Sequence, residues 1–498
     1  MHNICMNQEQ PPPDISVADW ATTPEAVRQL VHTLLHSVGQ LQQQVAALEE
    51  KVNKNSGNSS QPPSSDPPYK RPPPKAKKKG RQRGGQKGHA GQGRKLKPRA
   101  QVNRVVSCRP TACCRCGALL LGEDPQPQRH QVSELPRIKA EVVEYQLHSL
   151  DCLACGQKNQ GQWPVEMPGG SFGPRTQATI GYLSGRMGLS RRDSEEMLGT
   201  LFHLDISLGS IPAQERRMSQ ALSQAVAEAS QFVRDQPAVN VDETSWSERN
   251  DNCWLWVATT PLVTLFHIMN SRSQSSSQQL LGENFAGVVG SDRYSAYNWL
   301  DPKQRQLCWS HLKRDFQAFV DRKGESAVIG KLLLGQVKTF FGLWHQVREG
   351  TLSRPDFQQA MQPIRHRVSA LLQIGMLLKA TKTRNTCRNI LRVETALWTF
   401  VEQEGIEPTN NAAERALRRS VIWRRRSFGS QSEAGSRFVE RIQTAVLTLR
   451  QQKRDVLDFL TQACQAAISG TDPPSLLPAT EPFLLNHDGI PSERLRQN

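Results

Sequence analysis

Val239-Asn240-Val241-Asp242 and, further along, Gly287-Val288-Val289-Gly290-Ser291-Asp292 are two short β-type runs that each end on an aspartate. The first alternates apolar and polar residues, the period of a strand; the second is a continuous short run, as expected of a buried strand. Between them, residues 254–258 and 262–269 are rich in Trp, Val, Thr and Phe and predict a hairpin across Thr259-Thr260-Pro261. A polar helix is expected over 275–281. Gln306-Leu307-Cys308-Trp309 predicts another strand, and a helix follows from Ser310 to about Val320. Three strands, a helix, two strands and a helix, in that order, is the layout of an RNase H-like α/β core.

Working outward toward the C-terminus, residues 324–403 turn helical, with Leu332, Leu333, Phe340, Phe341, Trp344, Leu371, Leu377, Leu391 and Trp398 as core candidates. Trp344 and Trp398 have two readings, core packing or stacking on a flipped base. A helix over 410–419 then carries an acid, Glu414, among basic residues. Toward the N-terminus, helical patterns cover 175–187, 191–202 and 212–232, with a break at His203-Leu204-Asp205. Short helices joined by a tight turn suit a helix-turn-helix or an ordinary helical connector.

Two C-x-x-C pairs precede these helices: Cys113 with Cys116, and Cys152 with Cys155, each followed by Gly. Two residues between thiolates let both sulfurs face one tetrahedral ion, so the pairs predict a closed, structural Zn2+ site in a zinc-ribbon-like module. A hairpin of 132–138 and 140–148 is expected between the knuckles. Cys108 and Cys114 are spare thiols that compete for the ligand set. The 11 cysteines are an odd number, and the N-terminus has no basic n-region followed by an apolar stretch. A reducing, cytoplasmic setting with a metal site is expected rather than a disulfide framework. No stretch reads as a membrane span.

The 498 residues exceed a single core, so three or more units are expected. The 63 Lys+Arg against 46 Asp+Glu give a net charge of +17, the sign that a polyanion partner, most often nucleic acid, selects. The excess is concentrated in residues 70–100, which hold basic side chains, among them Lys77, Lys78, Lys79, Arg81, Arg83 and Lys87, and no acid. With Gly84-Gly85 inside it and no apolar period, this run reads as an arm lying along DNA phosphates; a localisation signal and a solvated spacer are the other readings. Upstream lies a heptad seam: Val31, Val38, Val45 and Val52 at a, Val27, Leu34, Leu41 and Leu48 at d. Valine at a with mostly leucine at d favours a parallel two-stranded coiled coil, hence a homodimer; a helix packed on its own chain is the alternative.

The expected architecture is thus multidomain α+β. It runs from a disordered 1–24 through a coiled coil (25–52), a basic flexible linker (53–107), the zinc module (108–168) and a helical, helix-turn-helix-like DNA-binding domain (169–235). The RNase H-like core follows in two parts (236–323 and 404–465) around the all-α insertion (324–403), with a tail over 466–498. Asp242 and Asp292 stand where strands end, and Glu414 stands on a later helix. Phosphodiester cleavage without a covalent intermediate needs an acidified nucleophilic oxygen and a neutralised leaving oxygen. Two Mg2+ ions do both, and a few carboxylates hold them. Glu243 rivals Asp242, and Glu407 rivals Glu414. His311 is a phosphate contact or a core histidine. Arg314, Arg418, Arg424, Arg425 and Arg426 are candidate phosphate clamps, since no acid occurs from Arg415 to Ser432.

Val241-Asp242-Glu243-Thr244, Ser291-Asp292-Arg293-Tyr294-Ser295-Ala296-Tyr297, Cys308-Trp309-Ser310-His311-Leu312-Lys313-Arg314-Asp315-Phe316 and Asn410-Asn411-Ala412-Ala413-Glu414-Arg415 together resemble the IS66 family of bacterial insertion-sequence transposases. The linker at 55–66, the motif at 84–89 and the paired cysteines occur in the same order, so the resemblance covers about 25–465. It implies a DDE transposase in which Asp242, Asp292 and Glu414 hold Mg2+ or Mn2+. The expected reaction is hydrolysis at the element ends, then attack of the freed 3′-OH on target DNA. It also implies double-stranded DNA (element ends and target) as partner, small accessory proteins of the same element, and a bacterial, nucleoid-associated location. The family often has Asp directly before the Asn pair; here Thr409 stands there. The competing functions are a zinc-containing DNA-binding regulator, which needs no acid trio, and a nuclease or resolvase on the same fold, which cuts without joining.

Overall fold

The computed structural model describes residues 12, 15–59 and 96–478. The chain opens with a short helix, α1 (Val17–Thr22), capped by the Ser16 hydroxyl, which accepts from the Asp19 N–H. This corrects the expectation of disorder over residues 15–24, where Trp20 is buried and meets the His32 ring edge-on, while residues 1–11, 13 and 14 lie outside the described residues. His32 lies in α2 (Glu25–Asn53), which is one unbroken helix, as the heptad predicts. Most of its seam, including Leu34, Val38, Leu41, Val45, Leu48 and Val52, is exposed.

Residues 96–148 carry almost no regular structure, and the expected hairpin over 132–148 does not form. Val132, Leu135 and Val142 are exposed, so no apolar face rewards strand pairing. A smaller antiparallel hairpin forms instead from β1 (Ser149–Asp151) and β2 (Lys158–Gln160), around the second C-x-x-C pair. The helices that follow are α3 (Pro174–Tyr182), which runs through a wider turn at Leu183–Met187, α4 (Arg191–Phe202), α5 (Ser210–Ala221) and α6 (Ser223–Arg234). Ser190 and Asp193 close a reciprocal capping box at the start of α4.

The second sheet has five strands: β3 (Ala238–Glu248), β4 (Asp251–Thr259), β5 (Thr264–Met269), β6 (Val288–Ser291) and β7 (Arg305–Leu307). Their order is β5-β4-β3-β6-β7; the first three pair antiparallel, while β6 joins β3, and β7 joins β6, in parallel. The crossover from β5 to β6 contains α7 (Gln274–Leu281), and β7 leads at once into α8 (Trp309–Asp321). Alternation along β4 divides the apolar residues between two faces. Trp256 and Ala258 join a core with Met218, Leu222, Ala225 and Ala229 of the preceding helices. Leu255 and Val257 face a second core. Thus α5 and α6 are built into the sheet's own core, while Ile211 of α5 also joins Ile180, Leu183, Leu198 and Ile206 in a smaller cluster of its own.

The insertion comprises α9 (Gly324–Arg348), α10 (Arg354–Leu377), α11 (Thr381–Leu391) and the short α12 (Thr399–Glu402). Its core is continuous with β6, β7 and α8: Trp309 packs on Phe340 and Trp398, with ring centroids 4.7 and 5.0 Å apart. Trp344 and Trp398 are 7% and 2% exposed, so they are core residues and unavailable to a base. The chain returns as α13 (Asn411–Ser427), which lays Ala413, Ala416 and Leu417 on the second face of the sheet. Helices α14 (Glu433–Gln451) and α15 (Val456–Ser469) complete the first core. A Cβ on Gly185 would sit 2.6 Å from Ile442, so glycine there permits the close approach of α14. The described residues form a mixed helix-and-sheet structure with two sheets. No helix among the described residues is long and apolar enough to cross a membrane.

Candidate active site

The parallel pairing of β3 with β6 matches Ala238 with Val288, Val239 with Val289 and Asn240 with Gly290. Continued two residues, that register sets Asp242 level with Asp292, on strands spaced ~4.8 Å apart. A Cβ on Gly290 would collide with Asn240 Oδ1, so glycine there leaves the Asn240 side chain its present place between the strands. Asp292 leaves the end of β6 in a tight turn, in which its Oδ1 accepts the Tyr294 N–H at 2.8 Å.

Glu414 arrives from the far end of the chain on the first turn of α13. Asn410 fixes that turn: fully buried, it donates its side-chain amide to Val241 O at 2.7 Å and its backbone N–H to Cys308 Sγ at 3.1 Å. One residue thereby joins β3, the start of α8 and the start of α13. Ser310 donates to Asn411 Oδ1, and the Trp309 N–H to Pro408 O, closing the same junction. From α8, His311 Nδ1 stands 3.4 Å from Glu414 Oε1, and Arg314 Nη2 stands 3.5 Å from Glu414 Oε2. The His311 contact is misaligned for hydrogen bonding, and both His311 Nδ1 and Glu414 Oε1 are buried without a hydrogen-bond partner. Glu407, the rival acid, is exposed.

Burial, followed by the charges of Glu243, Asp292 and Glu414, holds the Asp242 carboxyl well above the usual carboxylate range. Acids from three remote segments therefore act on one another here, and their repulsion favours a bound cation. Burial also pushes His311 down, opposed by Asp292 and Glu414. The donors are hard carboxylate oxygens, one of them orphaned, a set suited to Mg2+ or Mn2+.

Neighbouring residues on a strand face opposite sides, and this separates Asp242 from Glu243. Glu243 is engaged by protein groups: Arg272 donates to its Oε1 at 2.8 and 2.5 Å, and the Tyr297 hydroxyl donates to its Oε2 at 2.5 Å. Arg272 is itself held between aromatic rings, its guanidinium 3.7 Å from the Tyr294 centroid and 4.9 Å from that of Trp254. Burial and Asp292 raise the Glu243 carboxyl, while Tyr297 and Arg272 oppose the rise. Sequence reading missed Arg272, Tyr297 and Asn410. Only the Asn410-Asn411 pair offered a signal, since two asparagines just before a helix are capping residues with more hydrogen-bonding capacity than one cap needs.

Among the described residues, the group of three or more metal-ligand atoms within 4.8 Å of one another is Cys308, His311 and Glu414. Burial pushes the Cys308 thiol up to about 11, so it packs as a protonated acceptor for Asn410. Neither the three acids nor the four knuckle cysteines form a group that tight. The two knuckles do share one backbone pattern. Gly117 and Gly156 donate to the carbonyls of Cys113 and Cys152, and both glycines have positive φ, 73° and 71°. Backbone N–H groups of Arg115 and Cys116 lower the Cys113 thiol, and those of Cys155 and Ala154 lower the Cys152 thiol.

Of the arginine candidates, Arg424 is partly occupied by the fold, since its Nη1 donates to Thr244 Oγ1 at 3.0 Å and to Ser245. Arg418, Arg425 and Arg426 are exposed along α13. Lys77, Lys78, Lys79, Arg81, Arg83 and Lys87 lie outside the described residues.

The five-stranded mixed sheet thus carries Asp242 on β3 and Asp292 just past the end of the adjacent parallel β6, with Glu414 on a helix beyond the all-α insertion. The chain belongs to the IS66 transposase family, whose model matches residues 169–437, the segment that contains every element of this site. Residues 10–95 match a family of unknown function, DUF6444. Two similar proteins come from Sinorhizobium fredii, both uncharacterized. The chain is 25% identical to y4qI over 293 residues, covering 52% of each chain. It is 24% identical to y4hP over 385 residues, covering 70% of this chain and 69% of that one. The chain thus spans about half the length of y4qI.

Proposed function

We propose that the protein is a DDE transposase that cuts the ends of its insertion sequence and joins each freed 3′-OH to target DNA. The reading is supported by the β3–β6 register, which sets Asp242 level with Asp292, and by the charges of Asp292 and Glu414 acting on the Asp242 carboxyl. The sheet order β5-β4-β3-β6-β7, antiparallel then parallel, supports an RNase H-like core. Asp242, Asp292 and Glu414 would hold two Mg2+ or Mn2+ ions, which when bound acidify the attacking oxygen and neutralise the leaving one.

The chain's own residues position the reaction. Arg314 donates to the Glu414 carboxylate, and His311 stands beside its other oxygen. Arg272 and Tyr297 hold Glu243 on its own partners, which leaves Asp242 as the acid available from β3. In the first step water attacks the phosphorus, the P–O3′ bond breaks, and a 3′-OH is released. In the second that hydroxyl loses its proton, forms a new P–O3′ bond with a target phosphate, and displaces a target 3′-oxygen, which is then protonated.

Around this centre, the basic arm at 70–100, with Lys77, Lys78, Lys79, Arg81, Arg83 and Lys87, adds phosphate affinity without sequence readout. Arg418, Arg425 and Arg426 on α13 serve the DNA strand beside the site. The exposed seam of α2 pairs two copies of the chain. The knuckles of Cys113/Cys116 and Cys152/Cys155 are the halves of a four-sulfur Zn2+ site, a reading supported by their matched turns. The segments at 169–235 supply further DNA contact, and small accessory proteins of the element and a nucleoid-associated cytoplasmic location accompany the reaction.

The test uses the full chain with an element-end duplex and Mg2+. Asp242→Asn, Asp292→Asn and Glu414→Gln should each lower strand transfer about a thousandfold, several kcal/mol of transition-state stabilisation at ~1.4 kcal/mol per tenfold, while duplex affinity stays within a few fold. Cleavage without joining by the unaltered protein identifies a nuclease instead. Undiminished transfer in the three variants rejects the site.

A further inference from the structure

Beside Asp292, but on the side of the sheet edge, lies a second feature that the acid trio does not use. A cavity of about 190 Å3 opens between the β6–β7 connection and the end of the helical insertion. Arg293, Ser295, Asn298 and Arg305 line it from the core, and Asn389 and Arg392 from the insertion. No acidic residue lines it.

Arg305 is the unusual member. It sits on β7 and is only 2% exposed, yet its guanidinium has no carboxylate partner among the described residues. Its Nη1 donates to Asn298 Oδ1 at 3.0 Å and its Nη2 to the backbone carbonyl of Asp292 at 3.3 Å; its Nε–H has no acceptor. Burying an unpaired charge is costly, so a site that retains one generally offers it to a ligand. The charge of Asp292 acts favourably on Arg305 without pairing with it directly, and Arg392, exposed, repels it. Arg293 is the only one of the three with a carboxylate partner: Asp315 Oδ2 accepts its Nε and Nη2 at 3.2 and 2.7 Å, leaving Nη1 outside that pair. Three guanidinium groups, one paired with Asp315 and one under the nearby charge of Asp292, still leave a net positive lining, and with amide and hydroxyl groups between them they suit a compact oxyanion.

We propose that this cavity is a phosphate subsite, which grips one backbone phosphate of the DNA strand next to the phosphodiester being cut. Nothing in the acid-trio chemistry requires it. The assignment to DNA rests on the transposase reading, whereas the affinity for a phosphate group does not. The location explains its use: Arg293 follows Asp292 in sequence, and Arg305 holds the carbonyl of Asp292. A phosphate seated here is therefore tied both to the backbone that carries an acid of the site and, through Arg392, to the insertion. The insertion would act as the second jaw of a clamp on the strand.

The experiment uses the full chain and the exposed Arg392, since Arg305 variants threaten folding. Duplex binding is measured against salt without divalent cation for wild type, Arg392→Ala and Arg392→Lys; inorganic phosphate is then titrated into each and melting temperature is read. Arg392→Ala should reduce the salt slope by about 0.9, the share of one phosphate contact, equally on all sequences, and Arg392→Lys should restore most of it. A single neutral methylphosphonate beside the cleavage position should weaken wild type several fold and leave Arg392→Ala unmoved. Inorganic phosphate should raise the melting temperature of wild type more than that of Arg392→Ala.

An unchanged slope in Arg392→Ala overturns the DNA subsite; if phosphate still stabilises wild type selectively, the cavity binds free phosphate and the DNA assignment is wrong. The readings fail separately. A protein without strand transfer that still loses the slope on Arg392→Ala keeps the subsite and loses the catalytic assignment. One that transfers strands with the same slope and no phosphate effect in both forms keeps the catalytic assignment and loses the subsite.

Discussion

Asn410 carries no reactive group, yet three elements meet on it. Removing its side chain leaves Val241 O buried without a donor, a loss of about 1–3 kcal/mol. It also frees the turn that delivers Glu414 to Asp242. Asn410→Ala should therefore lower stability by that amount in chemical denaturation, and strand transfer should fall further than the fraction of folded protein accounts for. Equal losses of both would reduce Asn410 to a packing residue. At this scale the sequence is legible where a residue's meaning depends on near neighbours. Asp292 follows directly on the end of β6, but the expectation that Asp242 ends its strand is corrected: β3 continues to Glu248, because the pairing with β4 extends past Asp242. The choice between Asp242 and Glu243 depended on what faces each side of β3, namely Arg272 and Tyr297 on a later loop and helix turn. No local pattern encodes such long-range partners. Arg305 was hidden for the same reason: a lone arginine before a short strand reads as a surface charge until its burial is seen.

Among elements, the strands and long helices follow from period and propensity. β3 alternates over its first half, β4 and β5 are near-continuous apolar runs buried on both faces, and α2 runs unbroken through its heptads. The expected hairpin over 132–148 failed because β-branched residues alone do not pair strands; a buried face must reward them, and Val132 and Val142 have none. The α2 seam presents the opposite case, apolar residues at helical spacing left exposed on a formed helix. Exposed leucines and valines in that register are stabilised by a second helix. Val38→Asp with Leu41→Asp should convert a dimer of the full chain to a monomer in sedimentation velocity at micromolar concentration. The folded core should melt within about 0.5 kcal/mol of wild type, since neither side chain is buried in the single chain. A wild-type chain that sediments as a monomer at those concentrations rejects the pairing.

For the molecule as a whole, charge and fold are segregated. The acids proposed for the site are half-buried in the folded body, whereas the largest block of uncompensated positive charge in the sequence lies in residues 70–100. A basic segment of this density neutralises phosphates through counterion release, and affinity then scales with the number of contacts rather than with base sequence. The arginines of α13 and the cavity at Arg305 act differently, because the fold fixes their positions relative to Asp292. Deleting 70–99 should thus weaken binding on every duplex alike and flatten the salt slope by several units at ~0.9 per phosphate, while single-turnover transfer from saturated complexes stays within a few fold. Filter binding across a salt series, paired with single-turnover transfer at saturating DNA, separates the two contributions. If the deletion lowers saturated turnover as strongly as Glu414→Gln does, the arm belongs to the catalytic assembly; if it leaves the slope unchanged, the arm does not lie on phosphates, and the folded body supplies the DNA affinity.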